Sequence, residues 1–258
     1  MEDITICITT FKRRLPLFKD LIKSIKKFYP DIEILVAING ENEENVDDNY
    51  RREILSFISS QKNVIPIMFT EFRSLSKLWN NLVIFSKTNY NLILNDDLYF
   101  NNNRIIELIQ EKINNDNNIG LFTINGGWSH FVISKVELDE LGYFDERLLA
   151  IGEEDGDMTW RYIQKYNKNI PVLYINNIRN LACDYNIAPT NMVTYVDNKP
   201  KFNSTFIKNF KYKKNNNGIV GMFGIPYEKI LQDDKQYPYE MFWLKNKYNI
   251  KNGNKIEL

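Results

Sequence analysis

Apolar and polar positions alternate along this chain in blocks whose lengths separate strands from helices. Ile4-Thr5-Ile6-Cys7-Ile8-Thr9 is a β-branched, apolar run of the kind that forms a strand buried on both faces. Polar Thr10-Phe11-Lys12-Arg13 follows. Leu17, Leu21, Ile25 and Phe28 then share one face of a helix predicted over 15–29, with Pro16 in its first turn and Pro30 beyond its end. The alternation repeats with a strand over 32–38 ending at Asn39-Gly40. A helix around 50–60 follows, striped by Ile54, Phe57 and Ile58, and then a strand over 64–69. Ser74 is placed to cap the next helix, in which Leu75, Leu78, Trp79 and Leu82 recur. Leu92-Ile93-Leu94 reads as a short buried strand that stops at Asn95-Asp96-Asp97, and a helix is predicted over 103–114. Strand and helix thus alternate four times by about residue 115, which predicts a parallel sheet with crossover helices. Ligands of such sheets sit beyond the carboxyl ends of the strands, where Thr9, Thr10, Asn39 and Asn95-Asp96-Asp97 all fall.

After residue 119 the pattern changes. Strands are predicted over 119–124 and 131–133, with Gly126-Gly127-Trp128-Ser129-His130 as a loop between them. Ser134 and Glu137 form a capping box for a short helix ending at Gly142. A helix through Arg161 and Ile163 and a strand over 170–175 come next, and from Asn176 the periodicity fades into segments rich in Asn and aromatic residues. The predicted fold class is α/β, a mixed, mainly parallel sheet flanked by helices with a partly irregular C-terminal tail. One domain is expected over 1–180, in halves 1–115 and 116–180, with 181–258 as an extension packed on it.

Composition narrows the function classes. Thirty-three basic and 33 acidic residues balance, so no global positive field recruits nucleic acid. The start, Met1-Glu2-Asp3, is acidic where a secretory signal is basic, and no apolar run approaches the ~20 residues that span a bilayer. Cys7 and Cys183 are too few for a disulfide framework. A cytoplasmic protein is expected. Lys208–Lys214, with Phe210 and Tyr212 interleaved, is either a solvated face or a patch that rests on the inner face of an anionic membrane.

Two acidic patches carry the candidate chemistry. Asp96-Asp97 is either an Asn-Asp turn closing its strand or a ligand pair for a hard divalent cation, which prefers oxygen donors. Glu153-Glu154-Asp155-Gly156-Asp157 sits where a helix begins, and carboxylates are favoured there by the helix dipole. Four in five residues exceed what capping needs, and crowding raises at least one pKa toward the range of a general base. Trp128 is either a buried ring or an accessible ring face, and His130, the only histidine, is either a loop hydrogen-bonder or part of a site.

The order of these segments resembles the GT-A fold glycosyltransferases, specifically the inverting family two. Ile4 through Arg13 is similar to that family's first strand and nucleotide loop, and Ile93-Leu94-Asn95-Asp96-Asp97 to its acidic strand end. Gly142-Tyr143-Phe144-Asp145-Glu146 and Gly152-Glu153-Glu154-Asp155-Gly156-Asp157 resemble its Gly-x-Phe-Asp-Glu and Glu-Asp-x-Asp segments. The likeness covers about residues 4 to 165. It implies a nucleoside-diphosphate-sugar donor, UDP-sugar first, and Mn²⁺ or Mg²⁺. Thr9, Thr10, Phe11 and Arg13 would line base and ribose, with Asn39 at the base where many members carry Asp. Asp96 would approach the ribose or diphosphate, Asp97 the metal, and Ser76 the phosphate, although Ser76 and Asn80 also suit an ordinary helix. Asp155 matches the catalytic base, with Glu154 as its alternative or as an acceptor ligand, and Asp157 is expected to face Arg161 one turn on. Trp128 and His130 would meet the acceptor, a glycan or lipid-linked glycan of the bacterial capsule or lipooligosaccharide kind. Many relatives add a later His to the metal; here Asn180 or Asp184, or diphosphate and water alone, stand in for it. Alternatives are a sugar nucleotidyltransferase, against which the missing Gly-rich phosphate loop argues, and a catalytically silent carbohydrate-binding protein.

Overall fold

The computed structural model describes residues 4–11, 14–40, 48–70, 73–116, 119–146, 154–181 and 239–256, with two short strands at 219–220 and 226–227. The chain divides into two units. The first holds Met1–Phe72, Phe85–Glu140 and Ile170–Ile187, the second Arg73–Ile84, Leu141–Asn169 and Ala188–Leu258. Most of the expected extension over 181–258, including Asp184 and Lys208–Lys214, lies outside the described residues.

The first unit is built on a seven-stranded sheet. Its strands are β1 (Ile4–Thr10), β2 (Ile34–Ile38), β3 (Val64–Met68), β4 (Tyr90–Asn95), β6 (Leu121–Ile124), β7 (Gly127–Ser134) and β8 (Val172–Leu173), in the order β3-β2-β1-β4-β7-β6-β8. The strands β3, β2, β1 and β4 run parallel; β7 is antiparallel to both β4 and β6, and β8 is parallel to β6. The expected mixed, mainly parallel sheet is what forms.

Alternation along the strands sorts the sheet's two faces. Ile4, Ile6 and Ile8 of β1, Ile34, Val36 and Ile38 of β2, and Leu92 and Leu94 of β4 join one apolar cluster. Its other wall comes from three helices, α1 (Leu15–Phe28), α2 (Asp48–Ser59) and α4 (Ile105–Asn115), through residues such as Phe18, Leu21, Ile54, Ile58, Ile109 and Ile113. Each such fully buried side chain contributes about 1.5–3 kcal/mol relative to exposure, so the face is strongly specified. The alternate residues turn the other way and include a polar ladder. The Thr5 and Thr88 hydroxyls lie 2.9 Å apart, and the Cys7 thiol is 3.8 Å from Asn91 Oδ1. Burial drives the Cys7 thiol far above its ordinary pKa, so it stays neutral, as a reduced strand cysteine should.

Three local features depart from the expectations. The segment 126–130 is not a loop: β6 and β7 form a hairpin through Asn125 (φ 54°) and Gly126 (φ 75°), so Trp128 and His130 are strand residues. Asn-Gly is the pair that tolerates positive φ at both central positions of a tight hairpin turn. The strand expected over 170–175 shrinks to Val172–Leu173, because the Asn125 side chain takes over the pairing, bonding both the carbonyl and the N–H of Ile175 at 2.8 Å. A third sequence-silent feature is a short ribbon in which β5 (Leu98–Phe100) pairs antiparallel with β9 (Ile178–Asn180), immediately after the Asp96-Asp97 turn.

The second unit contains α3 (Leu75–Phe85, all but its last residue), α6 (Glu154–Tyr166), the two-stranded ribbon of β10 (Ile219–Val220) and β11 (Pro226–Tyr227), and a final helix, α7 (Tyr239–Lys251). Ser74 caps α3 as expected, its hydroxyl accepting from Lys77 N–H at 3.3 Å. The short helix α5 (Lys135–Leu141) belongs to the first unit except for Leu141 and is capped by the Ser134 hydroxyl, which accepts from Glu137 N–H at 3.0 Å. No described helix is long and apolar enough to cross a membrane.

Candidate active site

The chain leaves β1 to build β2 and β3 on one side and returns to place β4 on the other, so the strand order reverses between β1 and β4. Crevices beyond the carboxyl ends of strands at such a reversal are where open α/β sheets take ligands. Here those ends carry polar residues. Thr9 is in register with Asn95 of β4 and Ala37 of β2, and Asn39 N–H donates to the Thr10 carbonyl at 2.9 Å. Thr9, Thr10, Asn39, Asp96 and Asp97 are all buried, which the fold tolerates only because each belongs to a polar cluster. Phe11 is half-buried beside them, and Arg13 lies outside the described residues.

The centre of this cluster is a residue the sequence analysis passed over. Arg14, 5% exposed, sends Nε to within 2.5 Å of Asp96 Oδ1 and Nη2 to within 2.7 Å of Asp97 Oδ2. It stands at the N-cap of α1, where a cation opposes the helix dipole and where α1 has no acidic residue in its first turn. That placement was the available signal: a basic residue at a helix start needs carboxylates from elsewhere. Burial works against the charged guanidinium, but the two carboxylates outweigh it and hold its pKa above the ordinary value. Burial likewise pushes Asp96 up to about 7, Arg14 opposing and the charge of Asp97 reinforcing the rise. Two carboxylates against one guanidinium leave the trio one negative charge in excess when both are ionised.

The second oxygen of each acid is the informative part. Asp96 Oδ2 and Asp97 Oδ1 are buried and have no well-aligned hydrogen-bond partner among the described residues, although the Thr10 hydroxyl lies close enough to the Asp96 carboxyl to favour its charged form. Orphaned acceptors of this kind cost stability unless something cationic or donating completes them. The Asp97 backbone is fixed by Leu181 N–H, which donates to its carbonyl at 2.6 Å, so β9 pins the acidic turn from more than eighty residues away. Asn180, offered as a substitute metal ligand, is exposed on β9 in register with Leu98.

His130 lies on β7 in register with Leu94 of β4, one strand from the acidic turn. Its Nδ1 is 2.7 Å from Ser129 Oγ and its Nε2 is buried without a partner. Burial lowers its pKa more than the Asp97 charge raises it, so the imidazole is neutral at neutral pH. Trp128 is half-buried, edge-on to Phe131 at 4.7 Å between centroids. Among the described residues no three acidic, His or Cys side chains form a metal-ligand group, so His130 does not complete a triad with the aspartates.

The second acidic patch is described within its own unit. Glu154, Asp155 and Asp157 occupy the first turn of α6. Asp157 is fully buried and accepts from Arg161 Nε at 3.1 Å and Nη2 at 3.0 Å, as expected from their spacing. Arg161 also donates to the carbonyls of Leu141, Gly142 and Tyr143, which close α5, where Gly142 takes φ 80°. One guanidinium thus ties the start of α6 to the Gly-Tyr-Phe-Asp-Glu segment. Asp155 is different. Its Oδ1 accepts from Gly156 N–H at 2.8 Å, it retains partial exposure, and burial raises its pKa above the ordinary 3.8.

The helix residues Ser76 and Asn80 separate. Asn80 is committed to structure: it bonds both the N–H and the carbonyl of Phe144 and donates to Glu146 at 2.9 Å, while Lys77 pairs with Glu146 at 3.0 Å. Ser76 is buried with its hydroxyl unpartnered.

A divalent ion fits the strand-end acids in the manner of Mg²⁺ sites, which use one or two carboxylates and complete their shell with phosphate oxygens and water. The fit rests on the two orphaned buried oxygens, one on each aspartate.

Among solved structures, TarS of S. aureus superposes with a TM-score of 0.52 at 14% identity, over 68% of this chain and 36% of that one. Its 1–349 fragment gives 0.52 at 13%, over 76% and 66%. A mannosyltransferase of Pyrobaculum calidifontis in complex with GDP-Man and Mn²⁺ gives 0.50 at 12%, over 68% and 56%. These likenesses show the shared fold, and the chain spans between about a third and two thirds of those proteins. No curated protein matches the sequence. The family model for glycosyl transferase family 2 matches residues 5–153, more than half of the chain, including the acidic strand end and stopping two residues short of Asp155. The chain belongs to glycosyl transferase family 2, a family of GT-A fold transferase enzymes.

Proposed function

We propose that the chain transfers one sugar from a nucleoside-diphosphate-sugar to a glycan or lipid-linked glycan, with inversion at the anomeric carbon. The observation that carries this reading is the pair of orphaned carboxylate oxygens on Asp96 and Asp97 at the sheet's switch point. Thr9, Thr10, Phe11, Arg13 and Asn39 take the base and ribose of the donor, UDP in the first instance, and Asp96 turns toward the ribose or diphosphate. Asp97 holds Mn²⁺ or Mg²⁺, with Asp96 beside it. When bound, such an ion neutralises the leaving diphosphate as a Lewis acid does. Support for this class of donor and ion also comes from the Pyrobaculum neighbour, whose complex contains GDP-Man and Mn²⁺.

Asp155 is the base in this reading. Its carboxylate accepts the proton of the acceptor hydroxyl as that oxygen bonds to the anomeric carbon and the carbon–diphosphate bond breaks; the electron pair leaves with the diphosphate. Asp155 suits the role because burial raises its pKa and no cation pairs with it among the described residues. Asp157 is spent on Arg161, and Glu154 is nearly fully buried, which suits orientation of the acceptor or a substitute base. Trp128 and His130 offer the acceptor a ring face and a neutral imidazole. A place in bacterial capsule or lipooligosaccharide assembly, at the cytoplasmic face of the membrane, extends the same reading.

The test is Asp155→Asn, assayed for turnover and, by calorimetry, for donor binding. Turnover falls by about a hundredfold or more, the usual contribution of a positioned base, while donor affinity stays within a few-fold. Near-parental turnover rejects the assignment.

A further inference from the structure

We propose that Arg14 is a built-in counter-cation of the Asp96–Asp97 pair, which holds one oxygen of each acid and keeps the nucleotide-free site from taking up a divalent ion. The inference rests on the reading that this pair is the cation site, and concerns a residue that reading does not use.

Position is the first argument. Arg14 reaches the pair from β1's side of the switch point, and its two contacts, 2.5 Å to Asp96 Oδ1 and 2.7 Å to Asp97 Oδ2, go to different carboxylates. A planar guanidinium bridges two acids in this way, where the point charge of a lysine engages one well. Rigidity is the second. Arg14 is 5% exposed, lies 6.0 Å from the Phe11 ring centroid, and its own N–H donates to the Phe11 carbonyl at 3.0 Å, so the bridge is held by the first turn of α1. Charge is the third. With Arg14 in place a bare dication meets one excess negative charge; without it, two. The buried Asp96 Oδ2 and Asp97 Oδ1 atoms are not held by Arg14, but the charge that would bind an ion tightly is half neutralised. A diphosphate arriving with its ion supplies the missing negative charge and oxygen ligands, so ion and nucleotide enter together.

The experiment is Mn²⁺ binding to the nucleotide-free full chain at pH 8, read by loss of the aqueous Mn²⁺ paramagnetic signal. Arg14→Gln is expected to bind Mn²⁺ about tenfold or more tightly than the parent, with Arg14→Lys between the two. A folded Arg14→Gln protein that binds Mn²⁺ no more tightly than the parent overturns the proposal. Should Arg14→Gln lack a cooperative thermal transition, the uncharged Arg14→Met decides: a gain supports the counter-cation and parental affinity overturns it. The function above fails by a different result. A chain whose nucleotide affinity is unaffected by Mn²⁺ and by Asp97→Ala loses the cation-site reading itself, whereas unchanged Mn²⁺ affinity in Arg14→Gln beside intact nucleotide binding sinks only the role of Arg14.

Discussion

Two acidic patches in this chain solve the same electrostatic problem in opposite ways. At the end of β4, two adjacent aspartates share one buried arginine and each keeps an oxygen unpaired. At the start of α6, one aspartate takes an arginine for itself, and its neighbour two residues earlier is held by backbone N–H with no arginine beside it among the described residues. Sharing makes a site that still attracts positive charge. Segregation leaves one acid committed to an arginine and one, among the described residues, without a cation. The roles proposed for Asp97 and Asp155 therefore rest on how arginines are distributed, more than on the number of carboxylates in each patch.

The largest expected effect breaks the segregated patch. Arg161→Ala leaves Asp157 buried without its cation and deprives the carbonyls of Leu141, Gly142 and Tyr143 of a donor. Removing one partner of a buried pair costs about 3–5 kcal/mol, and urea denaturation should read a loss of that order. Arg161→Lys should recover only part of it, because an ammonium cannot span an aspartate and three carbonyls. A loss below about 1 kcal/mol, the range of exposed pairs, would mean that Arg161 does not lock this junction.

A smaller effect is expected from the shared patch. Asp97→Ala leaves Arg14 and Asp96 as a balanced pair, with no excess negative charge to hold an ion. The gain in nucleotide affinity that Mn²⁺ confers should fall by about tenfold or more, measured by calorimetry with and without the ion. An undiminished Mn²⁺ effect would move the ion elsewhere and dissolve the contrast between the patches.

How much of this was legible beforehand follows the range of the interactions. The parallel sheet and its helices rest on local periodicity, so β1 through β4 and then α4 could be read from strand-length apolar runs and helical stripes. The caps of α3 and α5 were equally local, each a serine three residues before the N–H it accepts. The Asn125-Gly126 hairpin was readable too, but Trp128 and His130 look like loop residues when the Gly-Gly pair is weighed ahead of the Asn-Gly pair. What sequence could not supply was long-range pairing: β9 pinning Asp97 through Leu181, and the choice of Arg14 as partner of the acids. Arg13 and Arg14 are indistinguishable by type, and the start of α1 is what places Arg14 at the acids. Asn80 shows the converse error, a polar helix residue near the expected pocket that is fully occupied by Phe144 and Glu146.

The finest test of the contrast is pH. A base works ionised, so activity that depends on Asp155 is full above its pKa and lost as pH falls through it. Burial holds that pKa above the ordinary 3.8, so the acid limb of kcat/KM, which reports the free enzyme, should begin at higher pH than a water-exposed aspartate would give. Linkage has the opposite sign. A carboxyl whose folded pKa is raised binds its proton more tightly in the native state, so Asp155 lowers stability as pH rises from 3.8 to its folded value. Asp155→Asn should therefore remove an acid limb from the residual activity and, over that same window, a fall in stability. Asp96 titrates in the same direction, so the comparison is made between the variant and its parent at one ion concentration, where only the limb that disappears belongs to Asp155. Identical profiles would mean that Asp155 carries no proton in the rate-determining step, and the acid left alone by the arginines would not be the one that acts.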